Sequence, residues 1–474
     1  MRTNSALRLL VLVTVVLLAA GWLSSCSSSG TQGSVAETTV VDDGEPMVEA
    51  TTPATSTPEP SPIPPTHTPE PTPVPPTATP QVVSLVISEP AVIQSEDGEV
   101  LCVFFVENPS QDSGVERASY ATTLLDADGK ELKVVSEQPL PVLLPGQRIG
   151  VTVRASIEGG SVAKAEIALV ASGASVARSE LQSVIDRMPV AEILEVAPPN
   201  NPTFTAVTGV ITNALDVDLV SPSVYIIAYD SAGQVVGGGR TYVGFVLPND
   251  SSAFAQNIML AGEVDRAEAY LDVTSFRHLQ APTTVPAGAS APILVNSGYG
   301  RNKRGTLEAV ILLSNPNSGY RVWENVMMAA YAQDGSLLDV VWDQISLSPN
   351  TTMGLSRAMF LSSNAEVERV DFKVLAVSYK EAEAVPEFPY TVSQISAGSF
   401  GQVVTGEISN PTSEELAGLI VHAIAFDEVG QITGASRARV DSLPANGKAD
   451  LEFDFALEST PAKVEFYPEL DSRP

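Results

Sequence analysis

Apolar and polar positions along the chain fall into short runs separated by turn residues. Residues 224–229 read Val-Tyr-Ile-Ile-Ala-Tyr and end on Asp230-Ser231-Ala232-Gly233. A β-branched and aromatic run ahead of such a tetrapeptide predicts a strand entering a tight hairpin, with a second strand behind it. The arrangement recurs. Asparagine stands at Asn108, Asn213, Asn315 and Asn410, and a turn glycine follows 21, 20, 20 and 20 residues later at Gly129, Gly233, Gly335 and Gly430. Proline comes 16, 15, 14 and 14 residues after that, at Pro145, Pro248, Pro349 and Pro444. Each copy closes on a strand-like run, at 165–170, 269–273, 372–377 and 464–467. Four matches at near-constant offsets mark an internal repeat. Asparagine before proline, as at Asn108, Asn315 and Asn410, ends a strand because proline cannot donate to a ladder. Glycine at the hairpin supplies positive φ at little steric cost. The runs carry no helical stripe of useful length, so each repeat is expected to be a β-sandwich.

The N-terminus follows other rules. Arg2 and Arg8 precede an uncharged apolar stretch over residues 9–20, too short for a membrane span and suited to a secretory signal. It ends Leu23-Ser24-Ser25-Cys26, which resembles a bacterial lipobox and implies cleavage before Cys26 with lipid on its thiol. Residues 51–80 then carry 12 prolines among threonines. Such a segment buries too little apolar surface to fold and favours extended polyproline conformations. The organisation read from sequence is a signal peptide at 1–25, a lipidated cysteine and disordered Pro/Thr-rich spacer at 26–80, and β-sandwich modules at 81–172 and 173–275. A linker with the third module follows at 276–380, and the fourth is 381–474. The linker at 276–292 looks loosest, 380–389 looks shorter and stiffer, and residues 179–187 have the pattern of a brief helical turn.

Residues 224–233, preceded by G-x-x-x-N and followed by leucine-proline, resemble the FxLYD-type domain, and residues 425–430 after Gly406 and Asn410 are the next best match. Repeats one and three lack the glycine four residues before the asparagine and fit more loosely. The resemblance implies immunoglobulin-like modules of bacterial exported proteins and lipoproteins; it implies no activity and carries no catalytic residues. The expected fold class is therefore all-β, with four tandem immunoglobulin-like β-sandwich modules after the stalk.

Charge and candidate chemistry narrow the function. Residues 81–474 hold 24 basic and 49 acidic side chains, which repels nucleic acid and anionic lipid and makes lipid the expected tether. With Cys26 lipidated, Cys102 has no cysteine partner and reads as a buried small hydrophobe. Asp126-Ala127-Asp128-Gly129 resembles the start of a calcium loop, yet strand-like residues follow where further ligands would stand, so a hairpin turn is the expectation. His67, His278 and His422 form no zinc spacing, and His422 is expected on a strand. No nucleophile elbow, P-loop or dinucleotide fingerprint occurs, so neither catalysis, cofactor nor metal is expected. The basic patch Arg301-Asn302-Lys303-Arg304 reads as a solvated loop or a contact with an anionic neighbour.

The candidate binding residues are Trp323 and Trp342, both in the third module. Counted along the repeat, they stand where modules two and four have Ser221 and Gly418, and Arg240 and Arg437. Small and charged residues at these positions place the two tryptophans on a surface, suited to sugar stacking or a protein hot spot. Packing into the core or onto a neighbouring module is the competing expectation. The function read from sequence is a membrane-anchored extracytoplasmic lipoprotein that binds or scaffolds an envelope protein or glycan. Its alternatives are a carbohydrate- or cell-wall-binding protein and a hydrolase accessory protein with an inter-module site, which a carboxylate pair in a cleft would favour.

Overall fold

The computed structural model describes residues 83–197, 203–273, 284–301, 306–359, 366–399, 401–457 and 459–470. Chain contacts separate Met1–Pro76 from Thr77–Pro474. The expected signal peptide, Cys26, the spacer and its His67 lie outside the described residues, as do His278, residues 276–283 of the linker and residues 302–304 of the basic patch. No helix among the described residues is long and apolar enough to cross a membrane.

The described chain is almost entirely β and builds tandem β-sandwiches. In each, one sheet carries the strand that leads to the repeat asparagine, and the opposed sheet is built on the hairpin. Sandwich one pairs Glu99–Glu107 with Val86–Ile87, Ala91–Gln94 and Arg148–Ser156, and opposes to it a sheet with Ser119–Leu125 between Glu131–Pro139 and Lys164–Ala171. Sandwich three sets Leu307–Ser314 between Ile293–Arg301 and Thr352–Met359, against Tyr320–Ala332 between Leu337–Leu347 and Val367–Glu381. Sandwich four repeats this with Tyr390–Ala397, Gln402–Ser409 and Lys448–Phe455 against Ile432–Leu443, Leu416–Phe426 and Lys463–Leu470. In sandwich two the corresponding sheets run continuously, in the order Val190–Val196, Phe204–Asn213, Asp250–Leu260, Val235–Tyr242, Ser223–Tyr229, Arg266–Asp272. They join where Gly237 and Gly238 pair with Leu260 and Met259.

The repeat asparagine ties each sandwich together. Asn108, Asn213, Asn315 and Asn410 are all buried, at 0, 0, 1 and 3 % exposure. The Asn410 amide donates to Glu414 O at 2.8 Å, where the chain crosses to the hairpin sheet, and to Leu443 O and Pro444 O at 3.1 and 3.0 Å, where it returns. Its own Oδ1 accepts the Thr412 N–H at 2.9 Å. The same set recurs from Asn213 to Val217, Val246, Leu247 and Leu215, and from Asn315 to Tyr320, Leu347, Ser348 and Asn317. Asn108 reaches Ser113 and Leu144, and accepts from Ser110. A reciprocal backbone bond closes the corner: the N–H groups of Gly146, Asn249, Asn350 and Asn446 donate to the carbonyls of Ser110, Leu215, Asn317 and Thr412. Those four donors sit at φ of 72°, 54°, 55° and 53°, the left-handed region that glycine and asparagine tolerate.

At the far end of each sandwich the hairpin glycines Gly129, Gly233, Gly335 and Gly430 take φ of 78°, 78°, 86° and 83°. The carboxylates of Asp126, Asp230 and Asp427 each accept two backbone N–H bonds inside the turn, from the residues two and four further on. They hold hairpins, as the strand sequence after Gly129 requires.

Successive sandwiches pack face to face. Leu101 and Val103, on the outer face of the asparagine sheet of sandwich one, form a cluster with Ile227 and Tyr229 from the outer face of the next hairpin sheet. Val310 and Leu312 of sandwich three meet Ile424, Phe426 and Ile432 of sandwich four in the same way. The middle joint is smaller and more polar: Ala253 meets Ala329 and Leu337, and the Asn325 amide donates to Gly244 O at 2.8 Å. Both faces of the internal strands are therefore covered, and Ser223–Tyr229 is buried at every residue. The strand Lys448–Phe455, in the last asparagine sheet, alternates instead, with Lys448, Asp450, Glu452 and Asp454 outward.

The joints are structured where they are described. Ala174–Ala177 pairs with Ser113–Glu116, and the helix Arg178–Ile185 buries Leu181 and Val184 in the core of sandwich two. Ser290 N donates to Asn317 Oδ1, and Asn317 Nδ2 returns a bond to Ser290 O. Phe388, 5 % exposed, anchors the last joint in the core of sandwich four.

The corner predicts an asymmetry between two substitutions in the same module. Asn410→Ala strands three carbonyls and an N–H and should lower the stability of sandwich four by roughly 2–4 kcal/mol. Gly430→Ala meets nothing within 4 Å and should cost only the left-handed backbone, about 1 kcal/mol. Urea unfolding of both variants checks this; equal losses would show that the corner is not what holds the sheets.

Candidate functional site

Trp323 and Trp342 stand on neighbouring strands of the third hairpin sheet, where Trp323 pairs with Ser346 and Trp342 with Met327. Trp342 is 44 % exposed, while Trp323 is only half-buried. The alternation of the strand puts Trp323, Asn325 and Met327 on one face, the face that docks on sandwich two. Trp342 sits at the rim of that contact, its Cβ 3.3 Å from where a side chain on Gly244 would begin. The repeat positions used to place Trp323 report something other than exposure. Ser221 and Gly418 have φ of 50° and 79°, so a small residue there answers a left-handed backbone. Arg240, at the position of Trp342, is half-buried in the joint between sandwiches one and two. Its guanidinium lies 4.8 Å from the Tyr225 and Tyr242 rings and bonds Asp272 at 2.7 Å.

Two clefts open at joints, in equivalent places. The first, 390 Å³ between sandwiches one and two, is lined by Gly146, Arg148, Arg178, Met188 and Tyr270 among others. The second, 300 Å³ between three and four, is lined by Asn350, Thr352, Glu387, Tyr390 and Tyr467. Gly146 and Asn350 are the left-handed corner residues of their modules, and Tyr270 and Tyr467 pair with Tyr225 and His422, each twelve residues past the repeat asparagine. Both tyrosines donate to the glutamate two residues back on the same strand, Glu268 and Glu465. At the middle joint the tyrosine position holds Lys373, whose ammonium bonds Asp250 Oδ2 at 2.5 Å and Ser251 O at 2.6 Å. Burial opposes ionisation of Asp250, but Lys373 and the Ser251 N–H outweigh it and hold the carboxyl below its ordinary range. Sequence reading missed these joints, although the fixed offset from asparagine would have aligned Tyr270, Lys373 and Tyr467.

Neither cleft lining contains a carboxylate pair, and among the described residues no group of three or more histidine, cysteine or acidic side chains is placed to hold a metal. Cys102 is 1 % exposed, and burial pushes its thiol up to about 12, so it packs as a small hydrophobe. His422 lies on the strand Leu416–Phe426, its Nε2 3.4 Å from Glu469 Oε2. Arg301 ends the strand Ile293–Arg301.

No family model matches the chain, and no curated protein matches it. Among solved structures, the chain aligns with the native conformation of an E. coli alpha-2-macroglobulin at 10 % identity and a TM-score of 0.13, covering 77 % of this chain and 27 % of that one. It also aligns with the C-terminal globular domain of an oligosaccharyltransferase from Pyrococcus abyssi, at 9 % identity and a TM-score of 0.13. That match covers 64 % of this chain and 77 % of that one. A Salmonella alpha-2-macroglobulin mutant aligns at 9 % identity and 0.12, over 83 % and 40 %. The chain thus spans about a quarter of the E. coli protein.

One buried carboxylate makes a measurable prediction. Glu324 points into sandwich three at 1 % exposure, its Oε2 lacks a hydrogen-bond partner, and burial pushes its carboxyl from the ordinary 4.5 up to about 8. An acid whose folded pKa is raised contributes stability below the unfolded value and loses it as pH rises through the folded one. Stability should therefore decline between about pH 4.5 and about pH 8. Glu324→Gln should flatten that decline and gain on the order of 1–3 kcal/mol at pH 8. An unchanged pH profile in thermal unfolding would show that Glu324 is ionised in the fold.

Proposed function

We propose that the protein is a lipid-anchored, extracytoplasmic binding or scaffolding protein without catalytic activity, related to FxLYD-type lipoproteins. The observation that supports it most is the joint geometry: three successive face-to-face contacts fix the modules against one another and so hold surface side chains in a set register. The lipobox at Cys26 supplies the tether, and the Pro/Thr spacer carries the array away from the bilayer. Trp342 is the surface residue offered to a partner, through an aromatic face at the rim of the second joint.

Carbohydrate is the second reading. It is favoured by Tyr390, 38 % exposed at the mouth of the second cleft with its ring 5.0 Å from that of the buried Phe466, since an exposed, braced aromatic ring suits a sugar face. Paired carboxylates in a joint would favour a hydrolase accessory role, and neither cleft supplies them.

Anchoring and binding are tested separately. Cys26→Ser should abolish incorporation of labelled fatty acid and move the protein to the soluble fraction; continued labelling would reject the lipobox. Trp342→Ala should remove partners captured by the wild-type chain from envelope extract, with little change in thermal unfolding. Capture that persists in Trp342→Ala places the partner elsewhere, and binding on a glycan array that Tyr390→Ala removes would favour the carbohydrate reading.

A further inference from the structure

The repeat makes three joints comparable, and the first differs from the middle one in how its positive charge is met. Several of the described arginines have a carboxylate: Arg187 pairs with Asp216, Arg240 with Asp272, Arg266 with Glu268, and Arg369 with Asp371. Arg148 and Arg178, both in the lining of the first cleft, make no ion pair among the described residues. The Arg148 guanidinium lies 3.7 Å from the Phe105 ring centroid, and Arg178 Nη1 donates to Gln111 O at 3.2 Å. Glu107 stands opposite Arg148 across the strands without pairing with it.

The middle joint shows what a counter-charge looks like in this setting. There Lys373 meets Asp250, the residue directly after the left-handed corner residue Asn249. At the first joint that position is Gln147, a neutral amide whose Oε1 already accepts the Leu144 N–H at 2.7 Å. The position of Lys373 is Tyr270 at the first joint, so the Lys–Asp pair has no counterpart there, and the cations in the cleft lining are Arg148 and Arg178, with no acidic side chain among the lining residues. Beside the two guanidinium groups the cleft wall is apolar, with Ile185, Met188, Val190 and Leu271, and Val190 is 52 % exposed. A volume of 390 Å³ falls within the size of small-molecule sites, about 300–1,000 Å³.

We propose that this cleft binds a small amphipathic carboxylate, with its anionic head between Arg148 and Arg178 and its apolar body along Met188, Val190 and Leu271. Guanidinium groups match a carboxylate with paired, charge-assisted hydrogen bonds, and the apolar wall selects against a bare anion. The proposal rests on the binding reading given above but not on the lipid anchor or on Trp342.

Met188 is a reporter within the site. The full chain, labelled at its methionine methyls, is titrated with decanoate below its micelle concentration, with decanol and with inorganic phosphate. Decanoate should shift the Met188 resonance in a saturable way, and decanol and phosphate should bind at least tenfold more weakly. The double variant Arg148→Gln, Arg178→Gln should weaken decanoate at least tenfold while the core resonances of Met259 and Met353 stay in place, which shows that the fold is intact. A silent Met188, equal binding of decanol or phosphate, or a double variant that keeps its affinity would each overturn the proposal. None of these results alters the Trp342-dependent capture, so the two readings fail separately.

Discussion

A buried side-chain amide bonded to backbone on both sides of a strand crossing is the constraint from which the rest of this structure follows. Sheets in a sandwich are held chiefly by apolar contact, which is non-directional and does not by itself fix where one sheet ends and the other begins. In each module the asparagine gives direction to that contact. Its amide reads the carbonyls at the departure to and the return from the hairpin sheet, while its carbonyl oxygen holds the intervening turn. Losing it would leave several backbone groups buried without partners, and that penalty exceeds the modest net gain of any single hydrogen bond. Modules without disulfides reach a defined registry in this way; Cys102, the one described free cysteine, is simply part of a core.

The strands and hairpins were legible in the sequence because their signals are local. The apolar run of residues 224–229 and the glycine after it are enough to place a strand and a positive φ, and both are there. The asparagines were legible as landmarks but not as structure. Their partners include carbonyls some thirty residues away, and proline next to three of them offered a sufficient local reason for a strand end. The run Val-Tyr-Ile-Ile-Ala-Tyr also held more than was read from it, since continuous apolar sequence belongs to strands covered on both faces. It announces the joint as well as the strand.

The tryptophans show where comparison along a repeat misleads. Ser221 and Gly418 look like solvent-facing residues, yet they answer a left-handed backbone, and Trp323 takes their place in the third module without a positive φ, at a register shift between Trp323 and Glu324. Arg240 looks like a surface charge and is instead a joint residue, between two tyrosine rings and against Asp272. Residue type records the local requirement, and backbone geometry, burial and solvent impose requirements that overlap in the residues they admit. The clefts were hidden for a different reason. Each is assembled from a corner, a joint and a strand of the following module, and no contiguous stretch of sequence contains it.

Each joint uses the outer face of one kind of sheet against the outer face of the other kind, so the contact is head-to-tail and has no internal reason to stop. Nothing in the joints counts modules. The outer face of the fourth asparagine sheet is chemically different: Asp450, Glu452 and Asp454 stand where the preceding modules have residues such as Gly150, Ala253 and Gly354, and Thr405 and Glu407 stand where they present Val103, Val310 and Leu312. A fifth hairpin sheet arriving there would have to strip water from a row of carboxylates. Whether a joint forms is thus decided by the face a module presents, and duplication is tolerated where both faces are apolar. An interior module inserted between two others finds both of its faces complemented, whereas a hairpin sheet brought against Asp450, Glu452 and Asp454 meets a surface committed to solvent.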